Sequence, residues 1–373
     1  MRGENEYSEY SLNKVDAMDK KLSIVTLNSL NCNVTEFLLK YLESEDLDEL
    51  GTNVVTGASI NSCLKDLNKG KYDLMAVPAS EIHGKELEMA KYECRVNGAI
   101  TPRRPNLLLV SENKIDYQPK SAIILCDYKI IRRQLRRSRK DLRVLSTEAF
   151  KSINEISLVH SNQVEEIKWM EDMKKTGYID GFVTSRKIFD ELHLNGRRHA
   201  LLPDPKDRGG HHFLPIPYSD LIVYISRNSS PKSLTNLISE KEGETIWWIQ
   251  NQIIGSFDLS ELMNTGILVR HRRVRSLMEE AEKNKDLTLE QACHDSEGDV
   301  LDSKVHVEVK IERISKNGKR TISIHRIIPY KKYEFATISL IRDWGIMLKE
   351  TSQKVPQDFY SDGFANAFID LKE

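Results

Sequence analysis

Seven basic residues fall within the twelve positions from Arg132 to Arg143, led by the adjacent pair Arg132 and Arg133. Guanidiniums set this densely suit a ligand with several carboxylates, because the Arg–carboxylate pair is bidentate and directional. A solvated helix face or a phosphate-binding stripe has the same composition. The formal charge of -1 and the lack of interleaved aromatics weigh against nucleic acid, and the run beyond the first pair reads as mostly solvated. Glu81 follows the apolar run of KYDLMAVPASEI, at the end of a strand where parallel sheets place their ligands. Cys293 stands just before an acidic turn, where a lone cysteine is ordinarily a small inert residue. His211 and His212 have no third ligand at a known spacing, so no metal site is expected. A second basic cluster, RHRRVR at Arg270–Arg275, reads as surface or as a further source of cations.

The elements that must position these residues follow from periodicity. LSIVT, YDLMAVP, NLLLVSENK and SAIILC are apolar β-type runs, and VTEFLLKYLES repeats its apolar residues at helical spacing between the first two. Strand, helix and strand recur, which predicts a parallel sheet, and the grammar repeats from residue 116 through the basic helix IIRRQLRRSRKDL to the strand YIDGFVTS. SSPKSLTNLISEKEGETIWWIQNQI begins with serine and proline and reads as one helix, with Trp247 and Trp248 packing the last domain. The tail differs in kind: SKVHVEVKIERI and KRTISIHRII alternate at period two around SKNG, a hairpin, and YEFATISLIRDWGIMLKE closes as a helix.

A chain of 373 residues exceeds one hydrophobic core. Four segments are expected: a disordered extension over 1–20, an α/β lobe of 21–115 plus 212–228, a second α/β lobe of 116–211, and an α+β domain of 229–373. Five cysteines without CxxC spacing argue against a disulfide framework, and no run approaches the ~18 apolar residues of a membrane span. A monomeric, cytoplasmic protein with no membrane or nucleic-acid partner is expected.

Four strings then resemble the porphobilinogen deaminase (hydroxymethylbilane synthase) family, in order and at matching intervals. KYDLMAVPASEI resembles the strand and loop ending in His-Ser-Met-Lys-Asp, with Glu81 on the catalytic aspartate and Ser80 on the lysine. IIRRQLRRSRKDLRV resembles the Ser-Ser-Leu-Arg-Arg-Gln segment, which places Arg132 and Arg133 on the substrate-binding arginines. TGYIDGFVTSRKIFDELHLNGRRHALLP resembles the stretch that ends on a further arginine, here Arg197, and LEQACHDSEGDVLDSKVHVEVKI the Leu-Glu-Gly-Gly-Cys segment, with Cys293 on the cysteine that carries dipyrromethane.

The resemblance implies two periplasmic-binding-protein-like α/β lobes followed by a small α+β domain. It implies a transferase of heme biosynthesis that condenses four porphobilinogen units to hydroxymethylbilane with release of ammonia. Glu81 would stabilise the cationic intermediates, Arg132, Arg133 and Arg197 would bind substrate and cofactor carboxylates, and Cys293 would anchor the dipyrromethane cofactor. Departures point elsewhere. Leu27 stands where the family has an arginine, the Arg-Gly-Asn-Val loop is absent near Ser146 to Phe150, and the Gly-Gln-Gly loop appears as Pro217 to Asp220. These changes favour the alternative, a catalytically impaired paralogue that binds a carboxylated small molecule or a protein partner. A transport-type binding protein of two-lobed build is a third reading, which the lack of an export signal at the start of the sequence disfavours.

Overall fold

A computed structural model describes residues 22–44, 51–102, 107–204, 210–294, 297–298, 300 and 305–352. The expected extension over 1–20 lies outside them.

In chain order the first stretch runs β1 (Ser23–Thr26), α1 (Val34–Ser44), β2 (Asn53–Thr56), α2 (Ile60–Asn68) and β3 (Leu74–Pro78). It continues with α3 (Ala79–Ile82), α4 (Glu86–Lys91) and β4 (Cys94–Ile100). The second stretch runs β5 (Leu107–Ser111), β6 (Ile123–Leu125), α5 (Lys129–Ser138), β7 (Arg143–Leu145), α6 (Thr147–Ile153) and α7 (Gln163–Lys175). It ends with β8 (Gly181–Ser185), α8 (Arg186–Glu191) and β9 (Arg198–Ala200). The chain returns through β10 (Ile222–Arg227), α9 (Ser233–Asn236) and α10 (Lys241–Gly255). It closes with α11 (Leu259–Asn264), β11 (Thr265–Arg273), α12 (Val274–Asn284), α13 (Leu287–Gln291), β12 (Val305–Ile314), β13 (Thr321–Pro329) and α14 (Tyr333–Ser352).

These strands form two α/β lobes of the expected class. The first sheet has the order β2-β1-β3-β10-β4 and the second β7-β6-β8-β5-β9. β1 pairs parallel with β2 and β3, as β6 does with β7 and β8. In each sheet one antiparallel strand, β10 or β5, lies between two strands that run the other way. That antiparallel strand arrives in each case from the far side of a crossing. The central strands are buried along their whole length, as sheets covered on both faces require.

The pairing moves one expected boundary. Leu107–Ser111 is a strand of the second sheet, so the crossing lies before it and not at the expected boundary between residues 115 and 116. An apolar strand run reads the same whichever sheet it joins, and only the partner decides. Compact units divide at residues 103, 219 and 247: 220–247 belongs with the first lobe, and the C-terminal domain packs with the second. Ser239 is one reason, since its hydroxyl meets the backbone of Ala99 at 2.9 Å. The amide of Glu240 also donates to the Ala99 carbonyl, and these bonds break the single helix expected over 229–253 into α9 and α10.

The C-terminal domain is a three-stranded antiparallel sheet, β11-β12-β13, with α12, α13 and α14. Its hairpin turns at Gly318, whose φ of +74° suits a residue without a Cβ. α14 buries Leu340, Trp344 and Leu348, and Trp248 meets Tyr333 edge-on with ring centroids 5.4 Å apart. No helix among the described residues is long and apolar enough to cross a membrane.

Candidate functional site

The parallel strands β6 and β7 end in register at Leu125 and Leu145, and β8, level with them at Phe182, runs on to Ser185; the segments after all three lie toward the carboxyl edge of the second sheet. Each segment is shaped by its first polar residue. Ser146 accepts from the Ala149 amide and opens α6, and Ser185 accepts from the Ile188 amide and opens α8. Asp127 ties the first segment to the second: one carboxylate oxygen accepts from the Thr147 amide at 2.9 Å and the other from the Thr147 hydroxyl at 2.6 Å. α5 begins differently, because its cap residue Tyr128 gives no side-chain bond to the first amides.

Behind these segments, under the start of α7, lies a small cleft that opens to solvent and has enclosed room of about 10 Å³, enough for a single water. Its polar wall includes Asp127, Glu166 and Thr184, and its floor Ile167, Met170 and Ile188. Glu166 holds the ammonium of Lys151 at 3.1 Å, and that ammonium also lies 5.1 Å from the centre of the Trp169 ring. Thr184 is 2% exposed, and its hydroxyl has no hydrogen-bond partner.

Of the residues singled out from sequence, Arg132 reaches this edge. Half-buried in the first turn of α5, it donates through Nη1 to the Cys126 carbonyl at 2.6 Å and fixes the loop that leads into the helix. Arg133 diverges from it, since neighbours on a helix point about 100° apart. It is buried, and its Nη1 donates to the Ile314 carbonyl at the end of β12, 2.7 Å away. Arg197 is exposed, and its carbonyl accepts from the amide of Ser111, the residue paired with Gly181. That is the end of the sheet where β8 begins, the far end from Ser185. Glu81 belongs to the first unit, exposed in the short turn of helix that follows β3.

Cys293 has no exposed surface and packs with Val274, Leu277, Ala281 and Leu289. Burial pushes its thiol up, against the weaker opposing pull of Arg272. A thioether-linked dipyrromethane needs a sulfur with open space before it and a thiolate to form the bond. The enclosed Sγ of Cys293 does not fit that group.

In the rest of the basic run Lys140 and Arg143 are exposed as expected, but Arg136, Arg137 and Arg139 are held by the fold, contrary to the expectation from composition. Arg137 pairs with Glu312 at 2.7 Å and donates to the His212 carbonyl, and Gln134 bonds Glu312 at 2.6 Å. Arg136 donates to the carbonyls of Val144 and Lys316. Arg139 does the same for Gln118 and pairs with Asp141. RHRRVR divides: Arg273 and Arg275 are exposed as expected, while Arg270 and Arg272 converge on Glu308, which also meets Lys310 at 2.9 Å and His325 at 3.0 Å. His211 bonds Asp116 and His212 bonds Glu312, and among the described residues no group of three side chains is set to hold a metal.

Sequence reasoning passed over Asp127, Glu166 and Thr184. A polar residue directly after an apolar strand, as in AIILCD, is the signal that marks Asp127.

No family model matches the chain, and no curated protein matches it. Among solved structures it is similar to a periplasmic substrate-binding protein of an ABC transporter from Coxiella burnetii, at 14% identity and a TM-score of 0.32, covering 62% of this chain and 96% of that one. It is also similar to the periplasmic aliphatic sulphonate binding protein SsuA from Escherichia coli, at 14% identity and a TM-score of 0.30, covering 72% and 77%. A third likeness is to the reduced regulatory domain of OxyR2 from Vibrio vulnificus, at 15% identity and a TM-score of 0.31, covering 62% and 97%. The fold assignment itself rests on the strand order and register above.

Proposed function

We propose that the chain is a non-catalytic relative of porphobilinogen deaminase that binds a small carboxylated molecule at the carboxyl edge of its second sheet. The observation that carries this reading is the start of α5. A helix of ten residues opens on that edge without a side-chain cap, and Arg132 lies in its first turn. The positive end of the helix, which no side chain caps, favours an anion there, and the Arg132 nitrogens beyond Nη1 add charge-assisted donors. Lys129, exposed at the first helical position, is a further cation. The loss of catalysis is supported by the enclosed Cys293, by Ser80 in place of the family's lysine, and by the structural employment of Arg133.

Titration calorimetry with glutarate tests the site. Binding is expected in the wild type, and Arg132→Gln is expected to weaken it about 10- to 100-fold, the worth of a hydrogen bond to a charged group. Intact mass tests the loss of catalysis. Protein from a host that makes porphobilinogen should carry no added mass; an adduct of two condensed pyrroles that disappears in Cys293→Ser would overturn the proposal.

A further inference from the structure

α14 buries one face and leaves the opposite face bare. Thr337, Leu340, Trp344 and Leu348 are buried. Phe335, Ile338 and Ile346 are 79%, 63% and 45% exposed, and at about 100° per residue they fall on the far side of the helix, with the exposed Arg342 among them. A long apolar stripe of this kind marks a surface that something covers. Residues 353–373 follow the helix and lie outside the described residues. Their sequence repeats the stripe in reverse. Counting back from Ile346, the stripe sets Arg342, Ile338 and Phe335 at steps of four, eight and eleven residues; counting forward from Tyr360, the tail sets Phe364, Phe368 and Leu371 at the same steps. Pro356 is unsuited to a continuing helix, and the seven residues between Ser352 and Tyr360 suffice for a helix–helix connection. Asp362 is a preferred cap residue ahead of Phe364.

We propose that residues 360–371 fold back as an antiparallel helix and cover this stripe. Tyr360 then meets Ile346, Phe368 meets Ile338 and Leu371 meets Phe335, while Phe364 lies against the Arg342 guanidinium, a cation–aromatic contact. Each run is about 17 Å long at ~1.5 Å per residue, so the two match from end to end. Charge agrees with this occupant. The register sets Asp358 beside Lys349 and Glu373 beside Lys332, and both lysines are exposed. A second copy of the chain fits less well. Two such stripes packed antiparallel about a two-fold axis bring Arg342 close to its own counterpart and Lys349 close to Lys332.

Hydrogen exchange on the full chain tests the cover. In the wild type the amides of 364–371 are expected to exchange about tenfold or more slowly than those of an unstructured chain, and Ile338→Asp should return them to the unstructured rate. Ile338 is exposed on α14, so this change leaves the packed face of the helix as it is. Unprotected amides in the wild type overturn the proposal. So does protection that Ile338→Asp leaves untouched, since the tail then docks elsewhere. Engineered cysteines read the register. Ile338→Cys with Phe368→Cys should close an intramolecular disulfide on mild oxidation, and Ile346→Cys with Phe368→Cys, about 12 Å out of register, should not. Any other pattern overturns the antiparallel register. Sedimentation decides the occupant: a doubled mass that Ile338→Asp halves would assign the stripe to a second copy and overturn the tail.

Discussion

The two lobes share one strand order, yet their carboxyl edges are built on different principles. In the first lobe the edge closes on itself. The Thr26 hydroxyl meets that of Thr35 at 2.7 Å, Thr35 meets Thr56 at 3.2 Å, and Asn28 accepts from both the amide and the hydroxyl of Thr35 at 3.0 and 3.2 Å. In the second lobe the corresponding helix, α5, starts without a side-chain cap, Asp127 keeps spare lone pairs, and Thr184 has no partner. Topology fixes where an edge lies, and the few residues after each strand decide whether it is satisfied from within or left for a ligand.

The second edge can stay open because α5 is held from behind. Ile130, Ile131 and Leu135 bury one face of that helix in the lobe, while Arg133, Gln134, Arg136 and Arg137 fasten another to β12 and its hairpin. A binding group is most exact when its support is rigid, and Arg132 inherits its position from these bonds.

The largest effect is expected from removing that brace. Glu312 is 1% exposed and pairs with Arg137. Breaking a buried pair on one side costs ~3–5 kcal/mol, and Glu312→Gln should fall near ~3 kcal/mol because Arg137 keeps some contact with water. Urea denaturation measures the loss. Hydrogen exchange should quicken in α5 and β12 and leave β1 to β3 as they were. Uniform acceleration in both lobes would contradict a brace confined to the second. The same carboxylate sets an acid limb. Burial alone would raise its pKa, but the His212 bond and the Arg137 charge outweigh burial and hold it below the usual carboxylate range. Its contribution is therefore complete above the unfolded value of about 4.3 and is lost as pH falls through the lower folded value. Glu308, likewise held far below the usual range, acts in the same direction. Glu312→Gln should flatten the fall in stability between about pH 5 and the acid end.

Much of the architecture is legible in the sequence because its signals are local. The apolar runs at Leu74–Pro78 and Leu107–Ser111 are buried strands, and SKNG is the hairpin turn that the alternation predicts. β11 was not legible. Its second half reads RHRR, and Glu308, Asp204 and Glu280, which lie outside the strand, neutralise Arg270 and Arg272, the arginines that make it look like surface. The site is divided in the same way. The density of arginines marks a helix rich in acceptor partners, most of them backbone carbonyls, but composition does not say which face each one takes. One residue of shift sends Arg133 to the Ile314 carbonyl and leaves Arg132 at the edge. Cys293 resembles an anchor in its string and is enclosed in the fold, since the apolar neighbours that seal it come from α12 as well as from its own segment.

The smallest effects give the sharpest test of the two edges, because the same chemical change should have different outcomes. Thr26→Val in the first lobe removes a fully buried hydroxyl that bonds Thr35 and the Val55 carbonyl, and should cost about 1 kcal/mol. Thr184→Val in the second removes a hydroxyl that bonds nothing within the protein. It should leave stability unchanged or raise it by a few tenths of a kcal/mol, since an unmatched polar group is replaced by an apolar one of similar shape. Thermal melts of the two variants without ligand measure the difference directly. Equal losses would mean that the Thr184 hydroxyl is already satisfied in the free protein, by ordered water in the cleft, and the contrast between a closed and an open edge would lose its best evidence.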